Sequence, residues 1–533
     1  MTDHLLETEV LIVGAGPVGL ALALDLARRG VDFVVLEAGD GAVTHPKVST
    51  VGPRAMELFR RWGVAERIRR AGWPGDHPLD VAWVTRVGGH ELYRLARGTA
   101  NSRPLPDHTP EPDQVCPAHW LNPLLLDRVG VHPAGRVRTL HRVDAVHHRD
   151  GGVVAAATHS RLGTVTVIEA DHLVACDGAA SPVRAMCGIP APPRHVTRVF
   201  RNILFHAPTL RDQLGPRAAM VYFLMASPLL RYPLRAIDGV DLFNLVAGTD
   251  DGEDADPRSL VAEAIAFDTP VEVLSDQRWH LTHRVADRFR CGNVFLVGDA
   301  AHTLSPSGGH GLNLGVAGAA NLGWKLAAEL EGWAGESLLD SYEAECRPVA
   351  LATLHEANTN LVRATRRSIP DDLHADTLAG RRARAAARRV LALGGAAREF
   401  DSPEAQLGFR YESGLIVPEE PPAPVEGQWR PRATPGSRAP HAWLRRGVST
   451  LDLFGAGFTL LCFPGAYQTG PVERAFAHRR VPLEVVDCAD PAVARLYERR
   501  YVLVRPDGHV AWRGDDAPTR PAALADAVRG ARP

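Results

Sequence analysis

The strongest constraint on the fold is a strand, a glycine-rich turn and a helix at the start of the chain. The apolar run at 10–13 predicts a strand buried in a parallel sheet. GAGPVG follows at 14–19, then a helical segment ending at Gly30 and a second apolar strand ending at Glu37. This unit favours dinucleotide binding, because the turn and helix start can hold a pyrophosphate while the acid accepts ribose hydroxyls. The predicted contacts are Gly14, Gly16, Pro17, Val18, Gly19, Glu37 and Ala38.

The acid at the end of the second strand narrows the choice of dinucleotide. A carboxylate beside the ribose argues against a phosphate there, so FAD or NAD is favoured over NADP. An NAD-dependent dehydrogenase would explain this first motif alone.

Length and charge exclude several classes of protein. The 533 residues predict several domains, and no apolar run approaches the roughly 20 residues of a membrane helix. Sixty basic against 62 acidic residues argue against a nucleic-acid partner. The seven scattered cysteines fit reduced thiols better than a disulfide or zinc framework, so no metal site is predicted. Without a signal peptide, a cytoplasmic location is expected.

The pattern of apolar residues predicts an α/β protein in which the first domain is interrupted and then resumed. Short alternating strands around 195–283 predict an inserted antiparallel sheet, after which an apolar strand of first-domain character returns at 294–297. A proline-rich stretch predicts a linker before the last domain. The predicted parts are the discontinuous cofactor domain (1–72, 116–190 and 284–365), a substrate-binding sheet domain (73–115 and 191–283), a helical region (366–416), the linker (417–441) and a C-terminal domain (442–533).

Two further motifs place an acid at the end of an apolar strand. In the first, Asp177-Gly178 is followed by small residues and Arg184. In the second, Gly298-Asp299 precedes a glycine-rich turn and a helix. A carboxylate at a sheet edge can hold polyol hydroxyls, and backbone N–H groups at a helix start can face an electron-rich ring.

Together, GAGPVG, DGAASPVR and GDAAHTLSPSGGHGLN resemble the flavin-dependent aromatic hydroxylases of the para-hydroxybenzoate hydroxylase type. The resemblance covers most of residues 8–365. Residues 435–513 resemble the thioredoxin-like tail of larger members, which include phenol and polyketide hydroxylases. It implies FAD as cofactor, NAD(P)H as co-substrate, and a Rossmann-like domain followed by a thioredoxin-like C-terminal domain.

The resemblance also implies roles for particular residues. Lys47 and Arg54 would lie near the cofactor, and Asp177 with Gly178 and Arg184 would contact both FAD and NAD(P)H. Pro306 and Gly309 would line the flavin ring and are expected catalytic positions. His310 lies in the same loop, where it is either a third catalytic position or a neutral histidine that points away from the flavin. The remaining implied FAD contacts are Gly298, Asp299, Pro306, Gly309, Gly311, Leu312 and Asn313.

Departures from the family pattern affect two contacts. Ala118 stands where members often carry a glutamine, which leaves His119 as the substitute cofactor contact. Gly318-Ala319 replaces an expected Asp-Ala pair. No second GxGxxG follows a strand, so the nicotinamide would reach the flavin through the Asp177 groove. The tail has no CxxC, which favours a structural or dimerising role, and the near-neutral charge is compatible with a homodimer.

The sequence predicts an FAD-dependent monooxygenase that uses NAD(P)H and O2. Its flavin hydroperoxide would hydroxylate an aromatic, phenolic and polyketide-type substrate. Aromatic and basic side chains assigned to the substrate are Trp83, Tyr222, Phe223 and Arg231. Core packing competes with this role for the aromatic residues. Baeyer–Villiger insertion or epoxidation of a polyketide remains open, as does a non-catalytic flavin-binding partner protein.

Overall fold

Three large sheets and the helices that cover them form the described chain. The computed structural model describes residues 4–46, 50–133, 135–249, 255–365, 368–400, 403–419 and 429–531. In chain order the strands are β1 (His4–Val13), β2 (Phe33–Leu36), β3 (Thr50–Val51), β4 (Val81–Val84), β5 (Glu91–Leu95), β6 (Gln114–Val115), β7 (Gly135–Arg138), β8 (His141–Arg149), β9 (Gly152–His159), β10 (Val165–Ala175), β11 (Arg198–His206), β12 (Val221–Leu224), β13 (Pro233–Ala236), β14 (Leu242–Gly248), β15 (Glu272–Leu281), β16 (Arg284–Val285), β17 (Arg290–Cys291), β18 (Val294–Leu296), β19 (His302–Thr303), β20 (Trp443–Arg445), β21 (Val448–Ser449), β22 (Phe458–Cys462), β23 (Leu483–Asp487), β24 (Tyr501–Val504) and β25 (Val510–Gly514). The helices are α1 (Pro17–Arg29), α2 (Pro53–Arg61), α3 (Ala65–Arg69), α4 (Ala118–Gly130), α5 (Pro182–Met186), α6 (Leu210–Leu214), α7 (Pro257–Ala264), α8 (His310–Leu330), α9 (Asp340–Thr365), α10 (Leu378–Leu393), α11 (Pro403–Leu407), α12 (Gly470–His478), α13 (Pro491–Tyr497) and α14 (Pro521–Val528).

The first sheet is parallel at its centre. Strand β1 lies between β10 and β2, and its residues at 10–13 are buried by neighbours on both sides. Strands β7 and β18 extend the parallel core, while the hairpin of β8 and β9 and the short β17 add antiparallel pairs. Helix α1 packs against α4 and α8. This is the Rossmann-like unit that the apolar runs and the glycine turn predict.

The second sheet has the order β15-β11-β14-β13-β12-β4-β5. Its pairs are antiparallel except that β4 lies parallel to β12. Strands β4 and β5 come from the segment before α4, whereas the other strands come from the later insertion. Side chains alternate across β12, so Val221 and Phe223 lie on one face while Tyr222 and Leu224 pack into the core behind the other.

The C-terminal part forms a four-stranded mixed sheet with the order β23-β22-β24-β25. Strands β22 and β23 are parallel, and the other two pairs are antiparallel. The α/β fold class is confirmed, while the thioredoxin-like description of this part stays a prediction. The proline-rich segment predicted as a linker lies partly outside the described residues. Its described end is packed into the fold, since Ala433 and Ala439 are buried and Arg438 forms a buried ion pair with Glu57.

A buried network of charges joins the C-terminal part to helices α8 and α9. Glu345 on α9 accepts hydrogen bonds from Lys325 Nζ at 2.8 Å and from both terminal nitrogens of Arg505 at 2.5 and 2.9 Å. Asp507 pairs with Arg505 at 2.6 Å, and Asn321 donates to Glu345 at 2.7 Å. The cations hold the pKa of Glu345 well below its ordinary value despite the opposing effect of burial. The network therefore fixes α8 and α9 against the last sheet.

Among the described helices, none is long and apolar enough to cross a bilayer.

We expect Glu345→Ala to lower the free energy of unfolding by about 3–5 kcal/mol, because it removes the counter-charge of the buried Lys325 and leaves Arg505 with Asp507 alone. Urea unfolding of the FAD-loaded protein measures this change. Glu66→Ala is the matched control, since Glu66 pairs with Arg69 and Arg70 at the surface and its loss should cost less than about 1 kcal/mol. Equal losses in the two variants would contradict the role given to the network.

The same network predicts that stability falls in acid. The depressed pKa of Glu345 means that its contribution is complete above its ordinary pKa of 4.5 and is lost as the pH falls through the lower folded-state value. Unfolding free energies measured from pH 7 to pH 3 should decline in the wild type. The decline should be shallower in Glu345→Gln, and parallel curves would count against this origin.

Candidate active site

The turn after β1 is held by close backbone contacts on both sides. Gly14 has φ +106°, and a Cβ there would lie 2.4 Å from the carbonyl oxygen of Cys176 on the adjacent β10 segment. A Cβ on Gly19 would lie 2.1 Å from the carbonyl oxygen of Gly14. By contrast, a Cβ on Gly16 would meet no protein atom within 4 Å. Gly14 and Gly19 thus let strand and helix pack, while Gly16 faces open space at the start of α1.

Glu37 closes the turn from the end of β2. Its Oε2 accepts the Ala15 N–H at 2.9 Å and its Oε1 accepts the Gly39 N–H at 2.8 Å. The two bonds fix the carboxylate beside the glycine turn and leave lone pairs for further donors. This is the position in which a ribose diol is expected, and the exposed Ala38 follows it.

The second motif places a partly buried acid at the end of β10. Asp177 Oδ2 accepts the Val183 N–H at 3.0 Å, while its Oδ1 is buried without a hydrogen-bond partner among the described residues. Burial raises the pKa of Asp177 above its ordinary value. Arg184 donates to the carbonyls of Ala179 at 3.0 Å and Ala300 at 2.8 Å. Arg184 therefore ties this motif to the Gly298–Ala300 turn.

The third motif combines an exposed acid with the start of a long helix. Asp299 lies in the 3₁₀ turn Gly298–Ala300, and Val18 packs against Gly298. Helix α8 begins at His310 with no acidic residue in its first turn. Its first backbone N–H groups have no intrahelical partner and favour an electron-rich group.

Asn313 fixes the loop at the start of α8. Its Nδ2 donates to the carbonyls of Gly309 at 2.7 Å and Thr50 at 3.1 Å, and its Oδ1 accepts the Gly52 N–H at 2.7 Å. The side chain thus joins the loop to the segment between β3 and α2. Leu312 packs against the hydrophobic core that contains the first sheet and α1.

The three motifs fit an extended dinucleotide. A Cβ added at Gly16, Gly178, Gly309 or Gly311 would meet nothing within 4 Å, so each borders open space. Helix α1 offers uncapped N–H groups for a pyrophosphate, and Pro17 at its first turn removes no needed donor. The orphaned Asp177 oxygen supplies an acceptor. These residues suit FAD, and the start of α8 stays the predicted position of its ring end.

A cavity of about 220 Å³ lies between the loop at the start of α8 and the second sheet. One side is the glycine-rich loop with Pro306, Gly308, Gly309 and His310. The facing side carries side chains from the second sheet and from the segments around α2, α9 and α11. These residues include Thr50, Pro53, Met220, Val221, Arg235, Glu356, Asn360, Glu399, Phe400 and Gln406.

His310 is a buried wall of this cavity. Its ring folds back over the loop, since a Cβ on Gly308 would lie 2.3 Å from Nε2. Burial lowers the pKa of His310, so the imidazole is neutral at pH 7. Its catalytic role, and those of Pro306 and Gly309, stay predictions.

The predicted substrate residues lie at different distances from the cavity. Trp83 and Phe223 stack with ring centroids 5.3 Å apart and sit behind Phe400, which lines the wall. Tyr222 is buried on the far face of the sheet, where its hydroxyl accepts the Ala219 N–H, so the structure gives it a core role. Arg231 donates to the Thr365 carbonyl at 2.6 Å and does not line the cavity.

Three further residues were predicted to contact the cofactor, and the structure describes two of them. Arg54 is buried against Glu57 and donates to the Asp507 carbonyl at 2.6 Å, which directs it to the C-terminal part. His119 lies in a groove between α3 and α4 beside Trp120. Lys47 lies outside the described residues.

Sequence reasoning missed Arg235, Val221 and Phe400. Arg235 stands directly opposite Val221 in the β12–β13 pair, and both line the cavity. Strand alternation from Phe223 could have indicated Val221, since residues two apart share a face. No sequence pattern indicated Phe400, because it reaches the cavity from a segment far away in the sequence.

Comparison with known families decides the class of protein. The FAD binding domain family matches residues 7–357, and the aromatic-ring hydroxylase C-terminal family matches residues 432–531. The chain belongs to the FAD-dependent aromatic-ring hydroxylases. The predictions of FAD as cofactor and of an FAD-dependent monooxygenase are confirmed, and NAD(P)H as co-substrate is general in this family.

Relatives of this hydroxylase cover its full length. It is 32% identical to aklavinone 12-hydroxylase RdmE of Streptomyces purpurascens, with 97% of each chain covered. The rebeccamycin biosynthetic enzyme RebC, solved with reduced flavin, is 58% identical at a TM-score of 0.96, covering 99% of this chain and 100% of RebC. One other RebC structure was soaked with K252c, and another was soaked with chromopyrrolic acid and has bound 7-carboxy-K252c. Aklavinone-11 hydroxylase with FAD and aklavinone is 30% identical at a TM-score of 0.83, with 99% of this chain and 100% of that chain covered.

The glycine turn of this hydroxylase yields a matched pair of variants. Gly16→Ala should leave the fold intact and weaken FAD binding, because its methyl group enters the open space where the pyrophosphate is expected. Gly14→Ala should destabilise the protein itself, because its methyl group meets the Cys176 carbonyl and its φ is unfavourable. Thermal unfolding without FAD and fluorescence titration with FAD separate the two effects. Unchanged FAD affinity in Gly16→Ala would contradict the assignment.

Proposed function

We propose that this hydroxylase oxygenates a polycyclic aromatic acid of the class that RebC binds. The substrate would occupy the cavity between the start of α8 and Arg235. Arg235 lines this cavity together with the loop assigned to the flavin ring. This position of a basic side chain is the main support for the proposal.

Arg235 supplies the charge that selects an acid. No ion pair or hydrogen bond of its guanidinium is found among the described residues, although Glu399 attracts it across the cavity. Glu399 itself accepts the Gly308 N–H at 3.1 Å. Burial lowers the pKa of Arg235, which reflects a cation with little hydration. A substrate carboxylate would restore the lost solvation with a charge-assisted hydrogen bond.

The relatives favour the same class of substrate. RebC binds 7-carboxy-K252c, a name that denotes a carboxyl group, and shares 58% identity with this chain. The two aklavinone hydroxylases share 32% and 30% identity with it. We therefore favour a RebC-type acid over the polyketide predicted from the sequence.

The chain's own residues prepare the site for oxygen transfer. FAD, once reduced by NAD(P)H, supplies activated oxygen from O2 to the substrate. Phe400, Met220 and Val221 give the cavity apolar walls that keep water away from the reacting carbon. Arg235 orients the acid, and the neutral His310 offers a hydrogen bond to a hydroxyl or N–H of the ring system.

Hydroxylation, Baeyer–Villiger insertion and epoxidation would use this same pocket. They differ in the product formed from one substrate, so product mass and structure distinguish them.

The carboxylate assignment is tested by comparing 7-carboxy-K252c with K252c as ligands. Flavin absorbance titration should show tighter binding of the carboxylated compound to the wild type. Arg235→Met should lose this preference and bind the carboxylated compound roughly 30- to 5,000-fold more weakly, the range for truncating one partner of a buried charge pair. Arg235→Lys keeps the positive charge, so it should retain part of the preference for the carboxylated compound.

The control is Arg258→Met, which removes an exposed arginine on α7. All variants should retain FAD and NAD(P)H-dependent flavin reduction without substrate. Equal affinity of the wild type for both compounds would refute selection of an acid. A preference that survives in Arg235→Met would place the carboxylate elsewhere.

A further inference from the structure

Three potential metal ligands meet at an edge of the first sheet, and none of them is among the residues assigned to FAD. They are His148 on β8, Cys187 directly after α5, and Cys291 on β17. No short motif connects them, because 39 and 104 residues separate successive members in the sequence. The β8–β9 hairpin, α5 and the β17–β18 hairpin bring them together.

The spacing of their ligand atoms suits a tetrahedral ion. One imidazole nitrogen and the two sulfurs all lie within 4.8 Å of one another, and Cys291 Sγ lies 3.8 Å from His148 Nε2. Zinc bonds of about 2.3 Å to sulfur and 2.0–2.1 Å to nitrogen place tetrahedral ligands roughly 3.5–3.8 Å apart. Small side-chain rotations would therefore complete the geometry.

The local backbone keeps this position accessible. His148 is exposed, and both cysteines are half-buried. Gly292 has φ +57°, and a Cβ there would lie 3.1 Å from the His148 ring, so the turn after Cys291 leaves room for the imidazole. All seven cysteines are free thiols in the structure. A solvent ion can reach the site without opening the fold.

We propose that His148, Cys187 and Cys291 form a Zn²⁺-binding site, with water as the fourth ligand. Two thiolates and an imidazole suit this borderline-soft ion, whereas Ca²⁺ and Mg²⁺ require oxygen ligands. Binding converts two Cys–SH groups and Zn²⁺ into two Zn–S bonds and releases two protons. No oxidation or reduction takes place.

The location gives the ion a structural role near the cofactor. Cys187 ends the helix that follows the Asp177 motif. Cys291 lies on the hairpin whose second strand leads into Gly298–Asp299. A bound ion would connect these two segments to β8 and hold the Asp177 and Asp299 motifs at a fixed separation. This inference does not depend on the substrate proposed above.

The experiment uses the full-length FAD-loaded protein, kept reduced with a phosphine that carries no thiol. Equilibrium dialysis with Zn²⁺ should show one bound ion per chain, and Co²⁺ should give the thiolate charge-transfer absorbance of a tetrahedral site. Cys291→Ser and Cys187→Ser should each weaken binding by about 100-fold or more. His147→Gln is the matched control, because it removes the exposed histidine next to His148 on β8 and should bind as the wild type does.

A second readout needs no variant. Zn²⁺ should protect Cys187 and Cys291 from alkylation, as measured by peptide mass spectrometry, and should raise the unfolding temperature of the wild type. The proposal is overturned if no stoichiometric Zn²⁺ binds, if a Cys187→Ser/Cys291→Ser double variant binds as tightly, or if His147→Gln weakens binding equally. Unchanged alkylation of both thiols with Zn²⁺ would also overturn it.

Discussion

The architecture depends on how closely the first strand, its turn and the first helix approach the neighbouring β10 segment. The Gly14 position is pressed against the Cys176 carbonyl, and Gly19 against the Gly14 carbonyl, so no side chain is possible at either point. This contact aligns β1 with β10 and directs both strand ends to one edge of the sheet. Because Asp177 directly follows that β10 segment, the same contact brings the first two motifs together.

The C-terminal part completes the site indirectly. Its Arg505 and Asp507 are buried against Glu345 and Lys325, and Lys325 lies on the helix whose first turn faces the cavity. Arg438 pairs with Glu57 on α2, and Arg54 on the same helix donates to the Asp507 carbonyl, which adds two contacts to the C-terminal part. A tail without a redox motif thus contributes to the position of α8. Charge pairing across this interface, with every partner buried, also explains why these basic residues are unavailable to a ligand.

The fold was largely predictable because short-range patterns determine it. Apolar runs bounded by Gly14 and Glu37 define the parallel unit, and acids at strand ends indicate a cofactor edge. The direction of individual side chains was harder to predict, because it depends on partners distant in sequence. Arg54 turns to the Asp507 carbonyl of the C-terminal part, and Tyr222 packs into a core built from several strands of the second sheet. Arg235 and the cluster of His148, Cys187 and Cys291 became visible only when strand pairing was known.

The most direct measurement is a crystal structure of the FAD-loaded protein with 7-carboxy-K252c. We expect the flavin ring to lie along Gly309–Asn313 and the substrate to occupy the cavity beside His310, with its carboxylate bound to Arg235. A substrate bound outside this cavity, or one whose carboxylate points away from Arg235, would contradict it.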